Sequence, residues 1–247
     1  MTDYFDMTGK VVLVTGGSRG LGFEMAKGFA AQGADIIVTS RKLDDCRAAA
    51  AAIEAMGRRA LAHGCHVGRW DQLDGLVEAA YGAFGRVDVL VNNAGIAPAA
   101  SSSLEMTEEL IDKTFAVNFK GPFRLCALIG SRMKAAGGGA IINVTSTGAV
   151  HPEPEFGPYA AAKAGLNVVT KSFALEYGPA VRVNAIMAGP FWTDISKSWR
   201  AEADENSTSA VRRIGRPDEV VTTALYLASD RSSYTTGTVI ALDGGLR

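Results

Sequence analysis

The sequence has no excess of either charge: 25 basic residues stand against 26 acidic ones in 247. Such a balance gives no strong electrostatic pull toward nucleic acid or an anionic membrane. Cysteine is scarce as well. Cys46, Cys65 and Cys126 are scattered and odd in number, with no CxxC pair and no metal-ligand spacing. Disulfide scaffolds and zinc modules are thereby set aside, and reduced thiols in a cytoplasmic protein without a metal are the expectation. No apolar run approaches the roughly 20 residues that cross a bilayer. The opening Met1-Thr2-Asp3-Tyr4-Phe5-Asp6 carries acid and lacks the apolar stretch of a signal peptide. Also missing are a linker-like segment, an internal repeat and any low-complexity tract beyond Ala48 to Ala52, which reads as helix propensity. What remains is ordinary globular composition, 47% apolar and 21% charged, enough to bury a sizeable core.

Short β-branched apolar runs alternate with helical spacing along the whole chain. The pattern predicts strands at 10–15, 35–39, 59–62, 87–91, 140–145, 181–186 and 238–242. Helices are expected over 23–30, 43–56, 70–84, 107–135, 158–177 and 217–227. Right-handed crossovers then yield a single α/β domain over residues 1–247, a doubly wound parallel sheet (Rossmann fold) with helices on both faces. Two segments break the rhythm, 96–106 and 190–216. Both follow strands and so emerge at the carboxyl edge of the sheet, where open α/β folds bind ligands. The second is long and mixed in polarity, which suits a substrate lid.

Between the first strand and first helix lies Thr15-Gly16-Gly17-Ser18-Arg19-Gly20-Leu21-Gly22. Glycines there permit a tight turn and close backbone approach, and the helix amino end offers N–H groups to a pyrophosphate. The end of the second strand decides the nicotinamide cofactor: an acid would grip the adenosine ribose and repel a 2′-phosphate. Here the position is Ser40, followed by Arg41, and Arg19 projects toward the same pocket. Two guanidinium groups and no carboxylate favour NADP(H) over NAD(H). Either arginine could instead be a solvated surface charge, and Asp44 and Asp45 nearby weigh against the phosphate.

Tyr159-Ala160-Ala161-Ala162-Lys163 places a phenol and an ammonium one helical turn apart on one face. A nearby ammonium favours phenolate and is expected to draw the Tyr159 pKa down toward neutrality, making it a general acid/base. Ser146, 13 residues earlier, could hydrogen-bond the same substrate oxygen, or else cap a turn. Asn118 precedes Pro122 by four residues. Proline has no N–H to return to the Asn118 carbonyl, so the helix should bend there. The freed carbonyl could hold a proton-relaying water; a structural kink is the competing reading.

Laid out in order, these motifs resemble the short-chain dehydrogenase/reductase family along essentially the whole chain. They are TGxxxGxG at Thr15 to Gly22, NNAG at Asn92-Asn93-Ala94-Gly95, then Asn118, Ser146 and YxxxK at Tyr159 to Lys163. The resemblance implies Tyr159 as proton donor and acceptor and Ser146 as the residue orienting substrate. It implies that Lys163 assists Tyr159 and binds the nicotinamide ribose, and that Asn118 supports a proton relay. The cofactor contacts it implies are Gly16, Ser18, Arg19, Gly20, Leu21, Gly22, Ser40, Arg41, Val67, Asn93, Ala94, Gly95, Tyr159, Lys163, Gly189 and Thr193. Two departures stand out. Where the family has an Asp-Val-like pair, its carboxylate touching adenine, this chain has His66-Val67. His66 could donate to or accept from adenine, or be a solvated loop histidine. The family's Pro-Gly after the sixth strand is Ala188-Gly189 here, with Pro190 following.

The activity implied is hydride transfer between the cofactor and a carbonyl or secondary alcohol, by a homotetramer. Phe115, Phe119 and Phe123 form one aromatic stripe that fits either a subunit contact or ordinary core. Ile96, His151, Glu153, Phe156, Phe191, Trp192 and Trp199 are expected to wall the substrate pocket. Glu153 and Glu155 argue against a strongly anionic substrate. The alternative is a non-catalytic nucleotide-sensing or interaction protein on the same fold.

Overall fold

A computed structural model of the chain describes residues 4–193 and 207–246. Seven parallel strands form one sheet in the order β3-β2-β1-β4-β5-β6-β7. In chain order the strands and helices are β1 (Val11–Thr15), α1 (Gly20–Ala31), β2 (Asp35–Ser40), α2 (Leu43–Glu54), β3 (Ala60–Gly64), α3 (Trp70–Phe84), β4 (Val89–Asn92), α4 (Glu108–Phe115), α5 (Gly121–Ala135), β5 (Gly139–Ser146), α6 (Gly157–Tyr177), β6 (Val181–Ala188), α7 (Val221–Ala228) and β7 (Val239–Leu242). The central strands are near-continuous Val, Ile and Leu because helices cover both faces. Side chains alternate along each strand: Val12 and Val14 enter the core under α1, α2 and α7, with Met25, Phe29, Ile53 and Leu227. Val11 and Leu13 enter the opposite core under α3, α5 and α6, with Leu73, Leu76, Leu125 and Phe173.

The winding reverses beside β1. From β1 the chain steps outward to β2 and β3, then returns to the other side as β4. Parallel pairing sets Thr15 opposite Asn92, so the crevice at this switch point opens between the carboxyl ends of β1 and β4. The sequence therefore aims its glycine turn at the place where the sheet leaves room for a ligand.

Three expectations change. The first helix begins at Gly20, not 23, so the last glycines of the turn are its opening residues. The helix expected over 107–135 is interrupted by a π turn, Ala116–Lys120, where Gly121 N–H reaches back five residues to the Ala116 carbonyl. Proline's missing donor is accommodated by this wider turn rather than by a simple bend. The helix expected at 217 opens as a 3-10 turn, Pro217–Val220.

Of the 190–216 segment, 194–206, and with it Trp199, lies outside the described residues. Its two ends are sewn together: Gly215 N–H donates to the Pro190 carbonyl at 3.0 Å and Trp192 N–H to the Gly215 carbonyl at 2.9 Å. Phe191 is buried against Gly215 within the core. It packs into the core rather than forming the pocket wall expected of it, and it is bridged to Gly215. Among the described residues, no helix is long and apolar enough to cross a membrane.

Candidate active site

The glycine turn is built for close approach. Gly16 has φ +62°, and a Cβ there would lie 2.9 Å from Ala94 Cα. A Cβ on Gly22 would collide with the Gly16 carbonyl and the Asn93 amide. Helix α1 starts without a side-chain cap and without acid in its first turn. Its leading N–H groups have no acceptor inside the helix and suit an anion. The turn is clamped from behind: Asn93 Nδ2 donates to the Thr15 carbonyl at 3.0 Å and the Gly16 carbonyl at 3.2 Å. Thr15 Oγ1 accepts from the N–H groups of Asn93 and Ala94. The Asn93 amide nitrogen is thus committed to holding the turn, and Leu21 packs its side chain on the core. We expect Gly22→Ala to weaken dinucleotide binding about tenfold or more and to lower stability by about 1–3 kcal/mol through overpacking. A titration and thermal melt matching wild type would show that the turn can give way.

At the end of β2, the Ser18 hydroxyl donates to Ser40 Oγ at 3.1 Å, and Ser40 Oγ lies 3.1 Å from Cys46 Sγ. Arg41 is exposed beside them. Thr193 stands across from the turn, 3.7 Å from where a Gly20 Cβ would be. Gly189 lies close against Asp243 and donates its N–H to the Leu242 carbonyl at 3.0 Å. Val67 is buried, its carbonyl against Gly121 at the π turn.

The four reacting candidates come from three elements and converge at the carboxyl ends of β4 and β5. Ser146 ends β5, and it and Tyr159, near the start of α6, flank Gly148, where a Cβ would lie 3.4 Å from Ser146 Oγ and 3.7 Å from Tyr159 Cε1. Gly148 N–H donates to Ser146 Oγ at 3.1 Å, fixing the hydroxyl in its turn. Lys163 Nζ lies 5.9 Å from the centre of the Tyr159 ring. Asn118, inside the π turn, exchanges two hydrogen bonds with the Ile96 backbone, accepting at 3.1 Å and donating at 2.8 Å. Gly95 keeps the centre open: a Cβ there would be 3.0 Å from Asn118 Oδ1 and 3.5 Å from Lys163 Nζ.

The electrostatics correct one expectation. Tyr159 is held above the ordinary phenol range, because burial outweighs the stabilising effect of Ser146. The ammonium that was to draw it down is itself disfavoured: burial lowers Lys163 to about 8. Nζ donates to the Val144 carbonyl at 2.8 Å. Desolvation, a property of the assembled core, dominates over the attraction within the pair.

One set of polar contacts, made by Asn92 of the NNAG motif with residues not singled out, escaped the reading of the sequence. Asn92 Nδ2 donates to Asn143 Oδ1 at 2.9 Å, and Asn143 Nδ2 to Thr170 Oγ1 at 2.9 Å. Cys126 Sγ packs against both asparagines. This buried chain ties β4, β5, α5 and α6 together directly behind the site. The available signal was an asparagine at the same register in two otherwise apolar strands.

A family profile described as enoyl-(acyl carrier protein) reductase matches residues 16–247. The chain is 40% identical over 247 residues to an L-rhamnose 1-dehydrogenase (NAD(P)(+)) of Azotobacter vinelandii, covering 96% of each. It is 39% identical over 252 residues to a 3beta-hydroxysteroid dehydrogenase 1 of Eggerthella lenta, covering 98% of this chain and 95% of the relative. A solved 7 alpha-hydroxysteroid dehydrogenase, complexed with NADH and 7-oxo glycochenodeoxycholic acid, superposes with a TM-score of 0.94 at 29% identity, over 99% of this chain and 98% of that one. With the likeness running end to end in both fold and sequence, the chain belongs to the short-chain dehydrogenase/reductase family of oxidoreductases.

Proposed function

We propose that this chain is an NADP(H)-dependent oxidoreductase that interconverts a carbonyl and a secondary alcohol, with Tyr159 as general acid and base. The observation that carries the reading is the convergence of Ser146, Tyr159, Lys163 and Asn118 at the sheet edge that also bears the glycine turn. The dinucleotide implied by the family fits that edge: a Cβ-free cradle at Gly16 and Gly22 leads to an uncapped helix end. Gly16, Ser18, Gly20, Leu21 and Gly22 would hold the pyrophosphate, with Arg19, Ser40 and Arg41 at the adenosine end. Val67, Ala94 and Gly95 would line the way to Lys163, Gly189 and Thr193 at the nicotinamide end. When bound, the nicotinamide supplies or accepts the hydride.

The chain's own residues handle the proton. In reduction, the Tyr159 hydroxyl donates to the substrate oxygen as negative charge develops, while Ser146 hydrogen-bonds the same atom. A phenol held above its ordinary range keeps its proton at neutral pH, so Tyr159 is loaded as an acid. Alcohol oxidation needs its deprotonated form and is favoured as pH rises. Lys163, charged below about 8, favours the phenolate when it forms. Asn118 pins Ile96 and so the wall beside the reacting carbon.

Ile96, His151, Glu153, Phe156 and Trp192 are the substrate-facing residues in this reading, and the exposed Glu153 and Glu155 disfavour a strongly anionic substrate. Steroid and sugar dehydrogenases among the relatives make neutral alcohols of either kind the first compounds to test. A cytoplasmic homotetramer built from a single domain completes the proposal. It is supported by Phe123 on α5 with Val168 and Leu175 on α6, all exposed. Phe115, Phe119 and Phe123 continue as a ring ladder to Phe173.

The test is the change in nicotinamide absorbance with a panel of ketones and alcohols, run with NADP(H) and NAD(H). For the cofactor preference we expect Arg41→Asp to raise the NADP(H) dissociation constant about a hundredfold, with NAD(H) changed severalfold at most, since a charge-assisted bond becomes a repulsion. Equal changes for both cofactors would defeat the assignment of Arg41 to the 2′-phosphate.

A further inference from the structure

Among the described residues, Arg212 is the only one other than glycine with a left-handed backbone, at φ +53°. An arginine held there is strained, and such strain persists only where the surroundings fix it. Gly244 and Gly245, at φ +67° and +74°, lie against the two residues that precede it. Val211 N–H donates to the Gly244 carbonyl at 3.1 Å, and Ala210 N–H to the Gly245 carbonyl at 3.0 Å. Three left-handed residues thus meet where two segments distant in the chain are joined.

This contact closes a ring of three segments. Gly189 N–H donates to the Leu242 carbonyl at 3.0 Å, and a Cβ on Gly189 would lie 2.7 Å from Asp243 Cα. Pro190 and Trp192 meet Gly215 through two backbone bonds, with the Phe191 ring packed on that glycine. Residues 210–211 then join 244–245. The corners are braced. Asp243 Oδ1 accepts from Gly245 N–H at 2.8 Å, shaping the turn after β7. The buried Ser209 donates to the Arg213 carbonyl at 3.2 Å, and Arg213 is ion-paired with Glu219.

One side of the ring reaches the cleft. Residues 189–192 run directly into Thr193, whose Cβ and Cγ2 stand 3.7 Å from where a Gly20 Cβ would be. Gly20 opens α1 at the glycine turn, so Thr193 faces the uncapped helix end. The sheet needs none of this construction, because β7 ends at Leu242. Resting on the dinucleotide reading above, we propose that residues 243–245 are positioning residues for the cofactor cleft. Acting through Gly189 on one side and residues 210–215 on the other, they set how far Thr193 stands from the glycine turn.

The experiment is calorimetric titration of the full chain with NADP(H) and NAD(H), read with whichever binds more tightly, beside a thermal melt. Gly244→Ala puts a Cβ 2.5 Å from Val211 Cγ2 and forces the two segments apart. We expect its dissociation constant to rise about tenfold. In Gly244→Ala/Val211→Ala the colliding methyl is gone, and the next neighbour, Ser209 Cβ, is at an ordinary 3.5 Å. Affinity should return to within about threefold of wild type while the melting temperature stays lowered, since the left-handed alanine remains. Should Gly244→Ala fail to fold, Asp243 supplies the same test. Asp243→Ala deletes the acceptor that shapes the turn and should weaken binding about fivefold. Asp243→Asn loses the same charge but keeps an oxygen acceptor, and should recover most of that loss. Affinities that hold while melting temperatures fall, or a Gly244→Ala loss that Val211→Ala does not reverse, overturn the proposal and leave the cofactor assignment intact. Failure of wild type to bind either dinucleotide overturns both.

Discussion

Tyr159→Phe is expected to lower turnover about a thousandfold while leaving dinucleotide affinity within a few-fold of wild type. The substitution deletes one oxygen from a ring packed at the head of α6, and the Phe ring keeps the volume. The structural loss is the hydroxyl's interaction with nearby Ser146, worth about 1 kcal/mol at most. A large kinetic change beside a small stability change therefore separates chemistry from folding. Nicotinamide absorbance with the compound that wild type turns over fastest supplies the first quantity, and a thermal melt the second. If variant and wild type turn over alike, Tyr159 is not the proton donor. In the reduction direction, the wild-type rate should also fall at high pH, as the buried phenol loses the proton it must deliver.

Lys163→Met should combine a loss of activity of about a hundredfold or more with an unusual pH signature in stability. Lys163 is buried, and its folded-state pKa of about 8 lies below the ordinary 10.5. Between those values the unfolded chain binds more protons at this group than the folded one. Wild-type stability contributed by Lys163 therefore rises with pH across that window. Below pH 8 the amine is charged in both states, and burying it costs about 3 kcal/mol. Methionine removes this cost but leaves the Val144 carbonyl without its donor, a loss of about 1–3 kcal/mol. At pH 7 the two terms nearly offset, so the variant folds about as well as wild type. From pH 8 to pH 10 wild type should gain about 2 kcal/mol on the variant. Denaturant titrations at several pH values measure that difference directly. A flat difference would mean that Lys163 is not destabilised by burial.

Much of the framework was readable from local pattern. The Val11–Thr15 and Asp35–Ser40 runs, buried on both faces, announce parallel strands because only those stay apolar without alternation. Trp70–Phe84 was legible to its last residue, since Gly85 with φ +73° ends it in the one conformation that favours glycine. The spacing of Tyr159 and Lys163 is likewise a property of one helix. Less legible was the π turn at Ala116–Lys120. Pro122 signals that something must yield, but neither bend nor bulge is specified until Asn118 finds the Ile96 backbone. The bond from Asn92 to Asn143 was not legible because its two partners come from different strands.

Sequence alone determined the order and kind of the elements, the glycine turn's place between strand and helix, and the spacing of the residues proposed to move a proton. These depend on periodicity and on neighbours a few positions away. Tertiary structure alone decided that Phe191 turns into the core, that Asn93 clamps the turn with its amide, and that Tyr159 shifts up rather than down. Each outcome depends on desolvation or on partners supplied by segments distant in the chain, and neither exists until the sheet and its helices are assembled.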